Sequence, residues 1–100
     1  MNVTTSEPIE TALALLGRQG TYRALRALLD GPMRFGELQT VTRLLPRTLS
    51  LRLKEMAAVG WVVREQFAEV PPRVEYRLTP AAVALEPLLR AVEAWAEEHT

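Results

Sequence analysis

The chain has no cysteine and a single histidine, His99, one residue from its C-terminal end. Disulfide staples, thiolate metal sites and thiol-based redox chemistry are therefore excluded within it, and a Cys–His or Ser–His nucleophile pair lacks a placed base. Long apolar runs are also missing: Asp, Glu, Arg and Pro interrupt every stretch before the roughly 18 residues of a membrane span. The opening MNVTTSEPIE has neither the basic start nor the apolar core of a secretory signal, so the expected location is cytoplasmic. No metal-ligand spacing and no glycine-rich phosphate loop occur, so no metal, no cofactor and no enzymatic activity are expected. What is present is a chain of 100 residues, 48% hydrophobic and 24% charged, which is the make-up of one soluble globular domain.

Twelve basic and twelve acidic residues cancel to a net charge of zero, but they are segregated. Residues 1–17 carry Glu7 and Glu10 and no base. Residues 18–54 carry eight bases against Asp30 and Glu37, and residues 55–100 carry eight glutamates against four arginines. A basic middle between acidic ends is the footprint of a polyanion-binding face, or of a set of solvated helix surfaces. Eleven of the twelve bases are Arg, which suits bidentate contacts.

Hydrophobic periodicity predicts five helices and one hairpin. Pro8 suits a first helical turn, after which Ile9, Ala12, Leu13 and Leu16 share a face. Gly17 and Gly20 break the chain, and Thr21 is placed to cap a second helix that carries Leu25, Leu28 and Leu29 and stops at Asp30-Gly31-Pro32. A short helix from about Gly36 to Val41 turns Phe35 and Leu38 inward. The next, from about Pro46 to Val59, is ended by Gly60. Two strand-like runs, Trp61–Phe67 and Arg73–Thr79, flank a short spacer holding two prolines. In the second run Val74, Tyr76 and Leu78 alternate with Arg73, Glu75 and Arg77. Thr79-Pro80 caps a last helix to about Glu98, with Leu85, Leu88, Leu89, Val92, Trp95 and Ala96 in one stripe, Glu86, Arg90, Glu93 and Glu97 opposite, and a bend expected at Pro87.

Four helices, a hairpin and a helix give a mainly α fold with a small β-hairpin: a winged helix-turn-helix, which presents a helix to the DNA major groove and a hairpin to the flanking backbone. The 46–59 helix is the candidate reader. Leu49, Leu53, Met56 and Ala57 form its inward face, and Arg47, Thr48, Leu51, Lys54 and Glu55 the outward one, with Ser50 and Arg52 on the flanks. Arg47 suits guanine or phosphate, Thr48 and Ser50 suit base edges or phosphates, and Leu51 suits a thymine methyl. Arg34 lies in the same basic middle. On the wing, Arg64 and Arg73 are candidate DNA contacts, against cross-strand pairing with Glu65, Glu69 or Glu75; Arg77 stays open between the two. Trp61, Phe67 and Tyr76 read as core packing, and His99 as a cation near a helix C-terminus.

The final apolar stripe is longer than one small domain needs. Packed on its own copy, with help from residues 8–16, it makes a two-fold homodimer through Ile9, Leu13, Leu16, Leu85, Leu88, Leu89, Val92 and Trp95. The chain is thus one domain over 1–100, about 7–79 forming a DNA-binding core and 80–98 the dimerisation helix. Such a dimer sets two reading helices about 34 Å apart, matched to a palindromic operator in double-stranded DNA.

The segments LLDGPMRFGEL (28–38), TLSLRLKEM (48–56), VGWVVRE (59–65) and above all EVPPRVEYRLTP (69–80) resemble the HxlR-type transcriptional regulators, small dimeric winged helix-turn-helix proteins related to the MarR-like regulators. The resemblance covers about residues 7–98. It implies that Pro46 to Val59 is the recognition helix, that Arg47, Thr48, Ser50 and Arg52 face DNA, that Arg73 matches the family's wing arginine, and that LEPLLRAVEAW (85–95) belongs to the dimerisation helix. The chain departs from that pattern in having Glu7-Pro8 for the usual Cys-Pro, Gln19-Gly20-Thr21 for Lys-Trp-Thr, and Leu45-Pro46 where a capping Ser and a polar residue stand. Leu51 likewise replaces a polar residue. The reading is a repressor that binds duplex DNA as a dimer, compatible with an unidentified small-molecule effector in the dimer cleft. The alternative is a winged-helix dimer acting as a protein-interaction module, which Leu51 and the zero net charge favour. A ligand-binding or enzymatic domain lacks the residues it would need.

Overall fold

The computed structural model describes the backbone of residues 3–100 and the side chains from Ser6 onward. Within that range the chain forms helices α1 (Val3–Leu16), α2 (Thr21–Leu28), α3 (Phe35–Thr42) and α4 (Pro46–Ala58), strands β1 (Val62–Phe67) and β2 (Arg73–Leu78), and helices α5 (Pro80–Val83) and α6 (Glu86–His99). The expected mainly helical fold with one hairpin is the observed one. Helices α2, α3 and α4 and the hairpin enclose the core, in which Leu25, Leu38, Leu49 and Met56 are almost fully buried. Each such side chain contributes roughly 1.5–3 kcal/mol by leaving water.

The hairpin is antiparallel, with Val62 opposite Leu78, Arg64 opposite Tyr76 and Phe67 opposite Arg73. Met33 adds a single bridge on the far side of β2: its N–H donates to Tyr76 O at 3.0 Å and its carbonyl accepts from Tyr76 N–H at 2.8 Å. That bridge ties the wing to the entrance of α3. Trp61 precedes β1 and is buried.

Several local expectations need correction. Pro8 lies inside α1, which begins at Val3. Inside a helix proline forgoes its N–H donor and its ring crowds the carbonyl four residues back, so this position carries a local cost that a first turn would not. Thr21 is not a cap but the first residue of α2, fully buried, with an Oγ1 that has no partner. The N-cap is Gly20, at φ 92°. A Cβ there would stand 2.7 Å from Leu44 Cδ1, so the close approach of the α3–α4 turn requires glycine. Ala57 is exposed, because Leu49, Leu53 and Met56 already supply the buried face of α4.

The last helix is two helices. Pro87 cannot donate to the Val83 carbonyl, so the chain turns at 84–85 and restarts with Pro87 in the first turn of α6, where the missing N–H costs nothing. Thr79 caps α5 as expected: its Oγ1 accepts from Ala82 N–H at 3.4 Å and donates to Gly60 O at 2.6 Å.

Candidate nucleic-acid interface

Helix α4 is aimed by its two ends. Leu45 is extended at the N-cap, Pro46 supplies a first turn that needs no N–H, and Gly60, at φ 80°, reverses the chain into β1. With Leu49, Leu53 and Met56 fixed inward, the 100° spacing leaves Arg47, Leu51 and Lys54 as the outermost row. All three are exposed, Leu51 at 46%. Ser50, Lys54 and Ala57 turn toward the hairpin and, with Leu53, Arg64 and Tyr76, line a groove of about 140 Å³ between α4 and the wing.

Thr48 is half-buried, and Arg52 does not face outward. Its side chain is 14% exposed, Nε donates to Gln19 O at 2.8 Å, and one terminal nitrogen donates to Glu55 Oε1 at 2.7 Å. Glu55 also pairs with Arg18 at 3.4 Å. This carboxylate therefore joins the end of α1, the entrance of α2 and the middle of α4. Arg52 leaves the outward set expected from the sequence because the 17–20 turn covers that side of the helix.

On the wing, Arg73 pairs with Glu69 at 2.6 Å and with Glu75, and its guanidinium lies 3.9 Å above the Phe67 ring. Hydrogen bonds with Glu69 and Glu75 raise its pKa above the ordinary arginine value. Phe67 is thus a half-buried platform near the tip rather than a core residue. Arg77 pairs with Glu65, the cross-strand alternative. Arg64 has no carboxylate partner and lines the α4 groove. Arg34 is exposed at the N-cap of α3, beside the Met33–Tyr76 bridge, with its N–H on Glu37 Oε1 at 2.9 Å.

The pairing divides the bases by place. Arg18, Arg26, Arg52, Arg73, Arg77 and Arg90 hold carboxylates. Among the described residues, the bases without one are Arg23, Arg34, Arg43, Arg47, Lys54 and Arg64, all from α2 to β1. The unneutralised charge is therefore concentrated on the head that carries α4 and the wing. No three His, Cys, Asp or Glu side chains among the described residues come together as a metal-ligand set.

One constellation has no signal in the sequence. Glu93, expected on the solvated side of the last helix, accepts from Tyr22 Oη and from an Arg26 nitrogen at 2.8 Å, joining α6 to α2. The hydrogen bond from Tyr22 holds the Glu93 carboxyl below its usual range, and the same bond pushes the Tyr22 phenol up. The partners are 71 and 67 residues apart, a distance that local periodicity does not see.

Ile9 and Leu13 on α1 and Leu88, Val92 and Trp95 on α6 are all at least 43% exposed. An apolar groove of about 330 Å³ lies between them, lined by Leu13, Leu16, Tyr22, Leu88, Leu89 and Val92. Leu89 is the exception among the expected interface residues: it is 5% exposed and belongs to the chain's own core, while Leu16 and Leu85 are half-buried. His99 stacks on Trp95, with ring centroids 4.9 Å apart. No helix among the described residues is long and apolar enough to cross a membrane.

Comparison with known proteins places this geometry. The profile of the HxlR-like helix-turn-helix family matches residues 15–100. The HTH-type transcriptional regulator YodB of Bacillus subtilis is 33% identical over 99 residues, covering 98% of this chain and 88% of YodB. The structure of reduced YodB superposes with a TM-score of 0.85 over 93% of this chain and 92% of that one. The redox regulator HypR in its oxidised form is 34% identical with a TM-score of 0.82, covering 93% and 97%. A transcriptional regulator of the MarR family from Enterococcus faecalis is 37% identical with a TM-score of 0.82, covering 98% and 88%.

Proposed function

Because the chain belongs to the HxlR-like helix-turn-helix family of transcriptional regulators, we propose that it acts in the cytoplasm as a homodimeric repressor that lays two copies of α4 into successive major grooves of a palindromic operator. Arg47, Leu51 and Ser50 read base edges, while Lys54, Arg64 and Arg34 contact phosphates on either side of the groove between α4 and the wing. Thr48 supports them from the flank. Arg73 reaches the backbone only by exchanging Glu69 and Glu75 for phosphate, and Arg52 acts by holding α4 in place. Residues of about 7–79 form the reading head, and 80–98 with 8–16 form the dimer contact through Ile9, Leu13, Leu88, Val92 and Trp95.

The observation that carries this reading is that three of the carboxylate-free bases, Arg47 and Lys54 on α4 and Arg64 on β1, stand on the surface shared by the helix and the wing. Charges left without partners on one face suit a polyanion, whose release of counterions then drives binding. The exposed apolar rows on α1 and α6 support the dimer, since such a surface is rarely left to water. The family's relatives include redox regulators, but this chain has no thiol, so an effector acts by non-covalent occupancy of the groove between α1 and α6.

Selection of duplexes from a random pool, followed by anisotropy titration at two salt concentrations, tests the proposal. A palindromic motif with half-sites about one helical turn apart is expected, with affinity falling steeply as salt rises. A protein with no affinity for any duplex at low salt would leave the second reading, a protein-interaction module. That reading is favoured by Leu45 and Leu51, 74% and 46% exposed, at the entrance and centre of the outward surface of α4.

A further inference from the structure

The turn between α3 and α4 holds the one non-glycine residue with a positive φ among the described residues, Arg43, at φ 58° and ψ 24°. In this left-handed region the Cβ crowds the following carbonyl, and residues other than glycine and asparagine settle there rarely. The fold requires the conformation. Arg43 N–H closes on Gln39 O at 2.9 Å as the C-cap of α3, and the next residue, Leu44, must enter the core. Leu44 is pinned there by packing on Gly20 and by its N–H on Thr42 Oγ1 at 3.3 Å.

Nothing in the fold requires arginine. The three other positive-φ positions are Gly20, Gly31 and Gly60. Among the described residues, glycine thus stands at every positive-φ position but the one that leads into α4. The Arg43 side chain is exposed and makes no hydrogen bond or ion pair among the described residues. A local use, neutralising the carbonyl end of α3, is already filled by Arg23, which donates to Thr42 O at 3.2 Å. A strained, unpartnered cation four residues before Arg47 points to a use outside the chain.

We propose that Arg43 is a DNA-contacting residue, a guanidinium that grips one backbone phosphate per half-site beside the N-terminal end of α4. The inference rests on the reading of α4 as the recognition helix. It adds a contact outside that helix and outside the wing.

The experiment uses the full-length protein and the operator recovered by selection. Arg43→Gly relieves the backbone strain, so its Tm is expected to match or exceed that of the parent. Its affinity for every duplex is expected to fall on the order of tenfold, with base preferences intact and the log–log salt slope smaller by about 2 for the dimer. Arg43→Ala keeps the strain and removes the cation, so it should show the same loss of slope with no gain in Tm. An Arg43→Gly protein with parental affinity and slope overturns the assignment while leaving the recognition helix standing. A changed base preference with an unchanged slope overturns it too, in favour of base reading. A parent protein without affinity for any duplex overturns both.

Discussion

Arg47 and Leu49 stand two residues apart on α4 and face opposite ways, so substitutions there should separate reading from folding. Leu49→Ala empties a fully buried site and should cost about 2–5 kcal/mol in urea unfolding. Arg47→Ala touches nothing inside the chain and should leave unfolding within about 0.5 kcal/mol. It should cost about 1–3 kcal/mol of operator affinity and relax preference at one base pair of each half-site. Arg52→Ala should behave in a third way. Its guanidinium is spent on Gln19 O and Glu55, so affinity should fall for all sequences together with thermal stability, while the salt slope stays at the parental value. Arg64→Ala, by contrast, should reduce the slope and leave stability alone. Titration of the set at several salt concentrations distinguishes a residue that touches phosphate from one that aims the helix.

At the scale of elements, the contact between α2 and α6 gives stability a dependence on pH at both ends. Glu93 is depressed below its ordinary 4.5, so its contribution is complete above that value and is lost as pH falls through the depressed one. Tyr22 is raised above its ordinary 10.0, so its contribution is complete below 10.0 and is lost as pH rises through the raised value. Unfolding measured across pH should show Glu93→Gln flattening the acid limb and Tyr22→Phe the alkaline one. Neither effect was legible in the sequence, because the pair exists only once α6 folds back over α2. The elements that were legible carry their own signals: Pro46 and Gly60 bound α4, and alternation with a Pro-Pro spacer marks the hairpin. The break at 84–85 was not, since Pro87 alone is compatible with a bent helix or with two. The pairing of Arg52 escaped for a similar reason: a wheel shows which way a residue points but not which loop covers that side.

For the whole molecule, the radius of gyration is 14.7 Å and the long axis 51 Å, whereas a compact chain of this length would have a radius near ~13 Å. The exposed rows of α1 and α6 are the surface through which the proposed dimer would form. Val92→Glu should therefore shift the protein to monomer in sedimentation and weaken operator binding through loss of the second half-site. Leu89→Ala, on the same helix, should instead lower stability with the dimer retained, since Leu89 faces the chain's own core. Sedimentation and unfolding of the two variants side by side check both outcomes.

The turn at 84–85 acquires a geometric meaning in such a pair. Symmetry copies any tilt made there into the second subunit with the opposite sense, so the two heads separate or approach by double the single-arm displacement. Tolerance for an extra or missing base pair at the centre of a target would then be written in Ala84 and Leu85, much as the pivot of a pair of calipers sets its span.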